Sequence, residues 1–465
     1  MAAATQEQRK LTPLRDSRWQ RLQLVALTLL LGACAAANPT PTEQPPPNIV
    51  LILADDQGFA DVGVYGGALP TPNIDAIAGA GVRFSDGYVS GPACVASRCG
   101  LLTGRYQNRF HCKPLQDEPL PPSEPTLAER LQARGYSTAL VGKWHLGSTP
   151  GLRPLERGFD EFFGFLRGIH LYYPQGQERD APYYDFTLEH GGELYRGHEP
   201  VTETEYLTDA FAREAVDFIE RHTDRPFFLY LSFNAVHVPL QAPPEHLEQF
   251  RYIEQPARRA LAAMNSAMDE AVGQVTQSLR DNGLEENTLL IYLSDNGGSP
   301  MSNASLNDPL RGAKSDLYEG GIRIPFLMQW KGVIPAGSVY DEPVISLDIA
   351  STVLAASGGY TSLKPRLDGH NLLPYLRGEE NGAPHDLLFW DYKGQSALRR
   401  GDWKLLLPAA DAQPQLYNLR LDIGEASDLS STHPDLTVEM LQALDDYATD
   451  IRGYRRVLQH RQDDN

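Results

Sequence analysis

Four short apolar runs constrain this chain more than anything else in it, because each stops on residues that do chemistry. Residues 49–54 end in Asp55-Asp56, and residues 137–141 run into Gly142-Lys143-Trp144-His145. Residues 227–233 lead to Asn234-Ala235-Val236-His237, and residues 289–293 to Ser294-Asp295-Asn296-Gly297-Gly298. Such runs fit strands buried on both faces, the condition of a parallel sheet. Helical patterns lie between them. In 204–221, Leu207, Phe211, Ala215, Phe218 and Ile219 share a face; in 256–281, Leu261, Met264, Met268, Val272, Val275 and Leu279 do, and Gly283 follows as a stop. Alternating strand and helix predicts an α/β fold, a large, mostly parallel sheet sandwiched by helices. Ligands bind such sheets beyond the carboxyl ends of the strands. One acidic ending would be a turn or a cap, since Asp and Asn favour both. Four endings together predict an active site.

A length of 465 residues suits one large domain with a smaller one, and no internal repeat is visible. Hydrophobic and charged fractions of 42% and 22% exclude disorder over most of the chain and a multi-span membrane protein. The formal charge of −19 disfavours nonspecific binding to nucleic acid or anionic lipid, so an anionic substrate would need a local basic pocket.

The N-terminus reads as an export signal. Arg9, Lys10, Arg15, Arg18 and Arg21 precede an apolar run at 22–31, too short to span a bilayer. The run ends in Leu31-Gly32-Ala33-Cys34, which resembles the bacterial lipoprotein box. The expectation is a signal peptide at 1–33, lipidation of Cys34, and a Pro-rich tether at 34–47. Ala35 in place of Asp favours the outer membrane under the sorting rule for such lipoproteins. The alternative is a plain secretory signal. Either way the protein is expected outside the cytoplasm, periplasmic or anchored to the outer membrane, and touching membrane only through lipid.

Asp55, Asp56, Asp295 and Asn296 offer only oxygen ligands, which suits Ca²⁺ or Mg²⁺ rather than zinc. Three acids at one point would repel one another without a cation. Lys143 and Lys314 are candidates to hold a tetrahedral anion, and His145 and His237 to act as acid and base. Gly91-Pro92-Ala93-Cys94 reads as a loop entering a helix, with Cys94 near its N-terminus, where a thiol pKa is expected to fall. A cysteine phosphatase would place Arg six positions after Cys94, but that position is Gly100. Four cysteines make no disulfide framework; Cys99 and Cys112 read equally as a disulfide or as buried thiols.

Cys94-Val95-Ala96-Ser97-Arg98 followed by Leu102-Thr103-Gly104-Arg105 resembles the modification motif of the type I, formylglycine-dependent sulfatases of the alkaline phosphatase superfamily, with the less common Ala at its third position. The resemblance runs from Asn48 to about residue 430 and takes in the four strand endings and Arg311-Gly312-Ala313-Lys314. It extends to Glu319-Gly320-Gly321-Ile322-Arg323-Ile324-Pro325, Gly401-Asp402-Trp403-Lys404-Leu405 and Leu416-Tyr417-Asn418-Leu419.

This resemblance implies an alkaline phosphatase-like catalytic domain at 48–374 and a C-terminal subdomain at 375–465, an antiparallel sheet with a helix around 437–449. It implies that a formylglycine-generating enzyme oxidises Cys94 to formylglycine, which hydrates to a geminal diol. One diol oxygen then attacks sulfur as Asp295 takes its proton, and His237 protonates the leaving alcohol. His145 deprotonates the second hydroxyl, so sulfate leaves without water attacking sulfur. A cation, usually Ca²⁺ in the family, is held by Asp55, Asp56, Cys94, Asp295 and Asn296. With Lys143 and Lys314 it stabilises charge on the sulfuryl oxygens, while Arg98 orients the diol.

Gly158 to Phe165 and Asn234 to Pro243 look like bacterial glycan sulfatases, implying a sulfated poly- or oligosaccharide substrate. Lys143, His237 and Lys314 are the expected substrate contacts, with His170, on a loop with Arg167, Tyr172 and Tyr173, as a further candidate. The rivals are a phosphomonoester or phosphonate ester hydrolase of the same superfamily and a non-catalytic surface glycan-binding lipoprotein.

Overall fold

The computed structural model describes residues 45–112, 120–174, 192–359 and 364–452. The signal, Cys34, most of the tether and the chain end after 452 lie outside the described residues.

The central sheet has ten strands. Its middle is built from β1 (Asn48–Ala54), β4 (Ser137–Lys143), β8 (Phe227–Ser232) and β9 (Thr288–Ser294), adjacent in the order β9-β1-β8-β4 and mutually parallel. These are the four runs read from the sequence. Parallel β5 (Glu161–Phe165) and antiparallel β6 (Leu194–Arg196) and β7 (Glu199–Val201) extend it on one side. On the other lie β10 (Phe326–Gln329), antiparallel to β9, then β2 (Val82–Phe84) and β11 (Ser338–Tyr340). A two-stranded ladder pairs β3 (Gly87–Tyr88) with β12 (Val344–Ile345).

Successive side chains of a strand point to opposite faces, so each middle strand feeds two cores. Ile49, Leu51 and Leu53 enter one apolar cluster, and Val50, Ile52 and Ala54 the other. The second cluster is closed by the helices Leu207–Arg221 and Pro256–Asp281, whose predicted stripes are buried. The first is closed by the helix Cys94–Thr103 and by an antiparallel meander, β13 (Leu388–Tyr392), β14 (Gln395–Arg400), β15 (Trp403–Leu407) and β16 (Gln415–Asn418). Met440, Leu444 and Ala448 seat the helix Pro434–Arg452 in that same cluster. The C-terminal sheet therefore shares a core with the catalytic layer. Among the described residues, no helix is long and apolar enough to cross a membrane.

Register fixes the working edge. Ala54 pairs with Ser294, and Leu53 with Ser232, so the residues that follow leave the sheet side by side. Cys99 and Cys112 are joined in a disulfide; Cys94 is free and buried.

Candidate active site

Each reactive side chain is placed by a local feature of its own element. Gly142, at φ 112°, lets β4 run close to β8; a Cβ there would lie 1.9 Å from the Ser232 carbonyl oxygen. The chain can then deliver Lys143 to the edge. Asp56 and His145 both sit at φ 59°, where an L-residue costs about 1–2 kcal/mol. Asp56 is held there by its N–H, which donates to Asp295 Oδ1 at 3.1 Å, and His145 by its N–H on the Leu166 carbonyl at 3.1 Å. Cys94 opens the helix Cys94–Thr103, and Arg98 stands one turn later.

The side chains converge into one buried network. Arg98 donates through Nε to Asp295 Oδ2 at 3.0 Å and through Nη1 to Ser232 Oγ at 2.6 Å and the Lys143 carbonyl at 3.3 Å. Lys143 pairs with Asp55, both fully buried. Lys314 Nζ donates to Asp56 Oδ2 at 2.7 Å, and His237 Nε2 lies 3.5 Å from the same oxygen. Asn296 Nδ2 donates to Asp56 Oδ1 at 2.7 Å. The Cys94 thiol reaches Asp55 Oδ1 at 3.5 Å and Asp56 Oδ1 at 3.9 Å. His237 Nδ1 lies 2.8 Å from the Val238 carbonyl, which can only accept, so Nδ1 carries the proton and Nε2 is left to the site.

The charges are strongly coupled to this burial. Burial works against ionised Asp55, but Lys143, His237 and Arg98 outweigh it and hold the carboxyl below its usual range. For Asp56 the same contest is decided by Lys314 and His237. Asp295 goes the other way, raised by burial and by Asp55. His145 is held well below the ordinary imidazole range by burial and by Lys143 and Arg98, so it is neutral near pH 7. Its Nδ1 is buried without a partner.

Two expectations are corrected. The Cys94 thiol is pushed up, not down, because burial and Asp295 outweigh Lys143 and Lys314. The three acids also have built-in compensation, since Arg98, Lys143 and Lys314 face Asp295, Asp55 and Asp56 in turn. Repulsion alone therefore does not demand a metal.

The donor chemistry does fit one. Ligand atoms of Asp55, Asp56, Cys94 and His237 lie within 4.8 Å of one another, and Asn296 Oδ1 is a buried acceptor without a partner. Asp295 and Asn296 attach to this group through Asp56. Carboxylate and amide oxygens in this number suit a hard cation.

Every predicted catalytic and metal residue falls in or against the network; His170, the further candidate for substrate contact, does not. Its ring packs on Phe165 at 5.0 Å and its Nδ1 is spent on the Leu171 carbonyl at 2.7 Å. It lines an adjoining cavity of about 330 Å³ with Tyr172, Tyr173, Glu193 and Glu203. Three supporting residues had no sequence signal. Ser232 reads as the end of a strand, yet it takes the Arg98 guanidinium. Asn303 reads as a loop residue, yet its Nδ2 donates to the carbonyls of Asp56 at 3.1 Å and Val236 at 3.0 Å. Gly168 leaves room for His145, since a Cβ on it would lie 2.5 Å from the imidazole.

Comparison with known proteins agrees with this geometry. The sulfatase family model matches residues 47–360. Human arylsulfatase A is 34% identical over 452 residues, covering 86% of each chain. Human N-acetylgalactosamine-6-sulfatase is 34% identical over 402 residues, covering 82% of this chain and 74% of its own. The crystal structure of Ps i-CgsB in complex with a neocarrahexaose is 36% identical, with a TM-score of 0.80 over 89% of this chain and 96% of that one. The sulfatase family implies a metal ion and a formylglycine, and Asp55, Asp56, Cys94 and His237 form a group that could hold a metal. The chain belongs to the sulfatase family and is a sulfuric ester hydrolase.

Proposed function

We propose that this enzyme removes sulfate from a sulfated carbohydrate, with formylglycine at position 94 and Ca²⁺ as the cation. The observation that carries the reading is a charge balance. Three acids already match three cationic side chains in the buried network, so a divalent cation held there would leave the pocket net positive within a chain of formal charge −19. That surplus suits an anionic sulfuryl group. The carbohydrate rests on the names of two of the proteins compared above, an N-acetylgalactosamine-6-sulfatase and a structure holding a neocarrahexaose.

Asp55, Asp56, Asp295 and Asn296, with residue 94, would hold the cation, which supplies Lewis-acid stabilisation of the sulfuryl oxygens. Lys143 and Lys314 add point charges from two sides of the network. Arg98 fixes Asp295, the acceptor for the nucleophile's proton. His237 would act as the imidazolium, its Nδ1–H spent on the Val238 carbonyl and its Nε2–H given to the leaving alcohol, while His145, held neutral, is a base whose Nδ1 is unspent. Hydrated formylglycine supplies a hydroxyl nucleophile and a second hydroxyl from which His145 can take a proton. Maturation then requires a formylglycine-generating enzyme. The lipoprotein-like segment at 31–34 supports export and anchoring at the outer membrane.

Mass spectrometry of the tryptic peptide 84–98, from protein made alongside the maturation enzyme, tests this reading. Sulfur replaced by oxygen with loss of two hydrogens is expected at Cys94, together with turnover that favours sulfate over phosphate esters of one alcohol. An unmodified thiol in an active enzyme, or a preference for phosphate, would overturn it.

A further inference from the structure

Lys314 stands on a loop between Arg311 and Leu317 whose shape is set from outside the catalytic sheet. Its own N–H donates to the Gly298 carbonyl at 3.0 Å. The next residue, Ser315, has φ 78°, a conformation that costs an L-residue about 1–2 kcal/mol and needs its surroundings to hold it. The Ser315 N–H donates to the Pro92 carbonyl at 2.7 Å, two residues before Cys94. On the other side stands Gln395, the first residue of β14. Its Nε2 donates to the Ser315 carbonyl at 3.0 Å, and its Oε1 accepts the Leu317 N–H at 3.1 Å. One carboxamide thus satisfies a donor and an acceptor of the strained turn, as a neighbouring strand would.

The support behind Gln395 is rigid. Lys393 and Gly394, at φ 45° and 91°, make a tight hairpin turn in which Tyr392 pairs with Gln395. The strand before it is anchored to the catalytic domain, because Trp390 Nε1 donates to the Val89 carbonyl at 2.7 Å. The far flank of the loop is held from the same side. Arg311 donates to the Glu425 carbonyl at 2.7 Å. Gly320 and Gly321 let the following segment pack closely on the loop; a Cβ on Gly321 would lie 2.1 Å from the Asp316 carbonyl.

We infer that Gln395 is a positioning residue for the sulfatase reaction, by which the C-terminal sheet fixes the turn that carries Lys314. The inference rests on the reading that Lys314 acts on the sulfuryl group. It makes the C-terminal sheet part of the catalytic apparatus.

The test is a double-mutant cycle in the full-length, matured enzyme, with thermal midpoint and formylglycine content measured on every variant. Gln395→Met removes both hydrogen bonds at nearly constant volume. Gln395→Glu keeps the acceptor for Leu317 and loses the donor to Ser315, and either variant that folds carries the test. In the wild-type background each is expected to lower kcat on a sulfate ester by ~10-fold, the scale of a modest misplacement of one catalytic group. In the Lys314→Ala background the same change is expected to cost less than ~2-fold, because its route of action is gone. Equal losses in both backgrounds would mean a merely structural role and would overturn the inference, as would near-wild-type kcat in the first background. Lys314→Ala with undiminished turnover would instead overturn the role of Lys314, and the inference with it.

Discussion

Arg98 donates from Nε to a single oxygen of Asp295, Oδ2, at 3.0 Å, and its Nη2 lies 2.9 Å from that oxygen as an ion-pair contact, with both side chains fully buried. The other oxygen, Oδ1, accepts the N–H of Asp56 at 3.1 Å. The helix that begins at Cys94 is thereby tied to the ends of β9 and β1 at once. A planar fork can span Asp295, Ser232 and the Lys143 carbonyl; a lysine ammonium on a flexible stem cannot. Arg98→Lys is therefore expected to lower kcat by ~10²-fold or more with secondary structure intact, as steady-state kinetics and circular dichroism would show. Turnover within a few-fold of wild type would contradict this role.

Lys314 and His237 meet at one oxygen, Asp56 Oδ2, at 2.7 Å and 3.5 Å. If one stabilises sulfuryl charge and the other protonates the leaving group, removing either should cut kcat by ~10²-fold or more. The two losses should differ in kind. An ester with a strongly acidic leaving alcohol needs no proton, so it should rescue His237→Ala and leave Lys314→Ala impaired. Equal rescue of both would reassign the acid.

The oxygen cluster of Asp55, Asp56 and Asn296 makes a separate prediction about metal. Exhaustive chelation should abolish turnover and lower the thermal midpoint, and Ca²⁺ should restore both. Full activity in protein shown by elemental analysis to hold no divalent metal would refute it.

A second buried ionic cluster lies between the catalytic layer and the C-terminal sheet. Lys404 Nζ sits 2.8 Å from Glu319 and 2.9 Å from Glu425, and Tyr88 donates to Glu319 at 2.7 Å. Burial, with Glu319 close by, pushes the Glu425 carboxyl up to about 7 against the pull of Lys404. Glu319 is held down to about 2, since Lys404, Arg323 and Arg399 outweigh its burial. The signs are opposite. Glu319 contributes stability above its unfolded value of 4.5 that is lost as pH falls toward 2. Glu425 keeps its proton in the fold between 4.5 and about 7 while the unfolded chain releases it, so its contribution falls as pH rises through that window. Glu425→Gln should therefore gain on wild type in thermal midpoint as pH is raised from 5 to 8. A difference that is flat or shrinks would refute the assignment.

The parallel middle of the sheet was legible because its strands are buried on both faces and read as unbroken apolar runs. The site was legible for a related reason. Asp55, Lys143, His237 and Asp295 each lie within a few residues of a strand's end, and parallel strands bring their ends to one edge. The outer strands β6, β7 and β11 left little trace, being three-residue pairings with mostly half-buried or exposed side chains and no periodicity to read. Ser232, Asn303 and Gln395 were equally silent, because a residue that supports another through a backbone carbonyl or amide has no required spacing.

The sequence by itself determined the fold class, which follows from periodicity, and several groups of the site, which follow strand ends; the family was legible through the resemblance of the Cys94–Arg98 motif to that of the sulfatases. It left open whether Cys99 and Cys112 pair, and it suggested the wrong direction for the Cys94 thiol. Both turn on distance and burial. The helix N-terminus favours a thiolate, but only the folded arrangement places Cys94 in a water-excluded pocket beside Asp295, Asp55 and Asp56. Likewise, only the tertiary structure decided which cation answers which acid, and that the turn carrying Lys314 is held by a glutamine from the C-terminal sheet. Charge pairing and positioning depend on ångström-scale separations between residues tens to hundreds of positions apart, and linear order does not encode those.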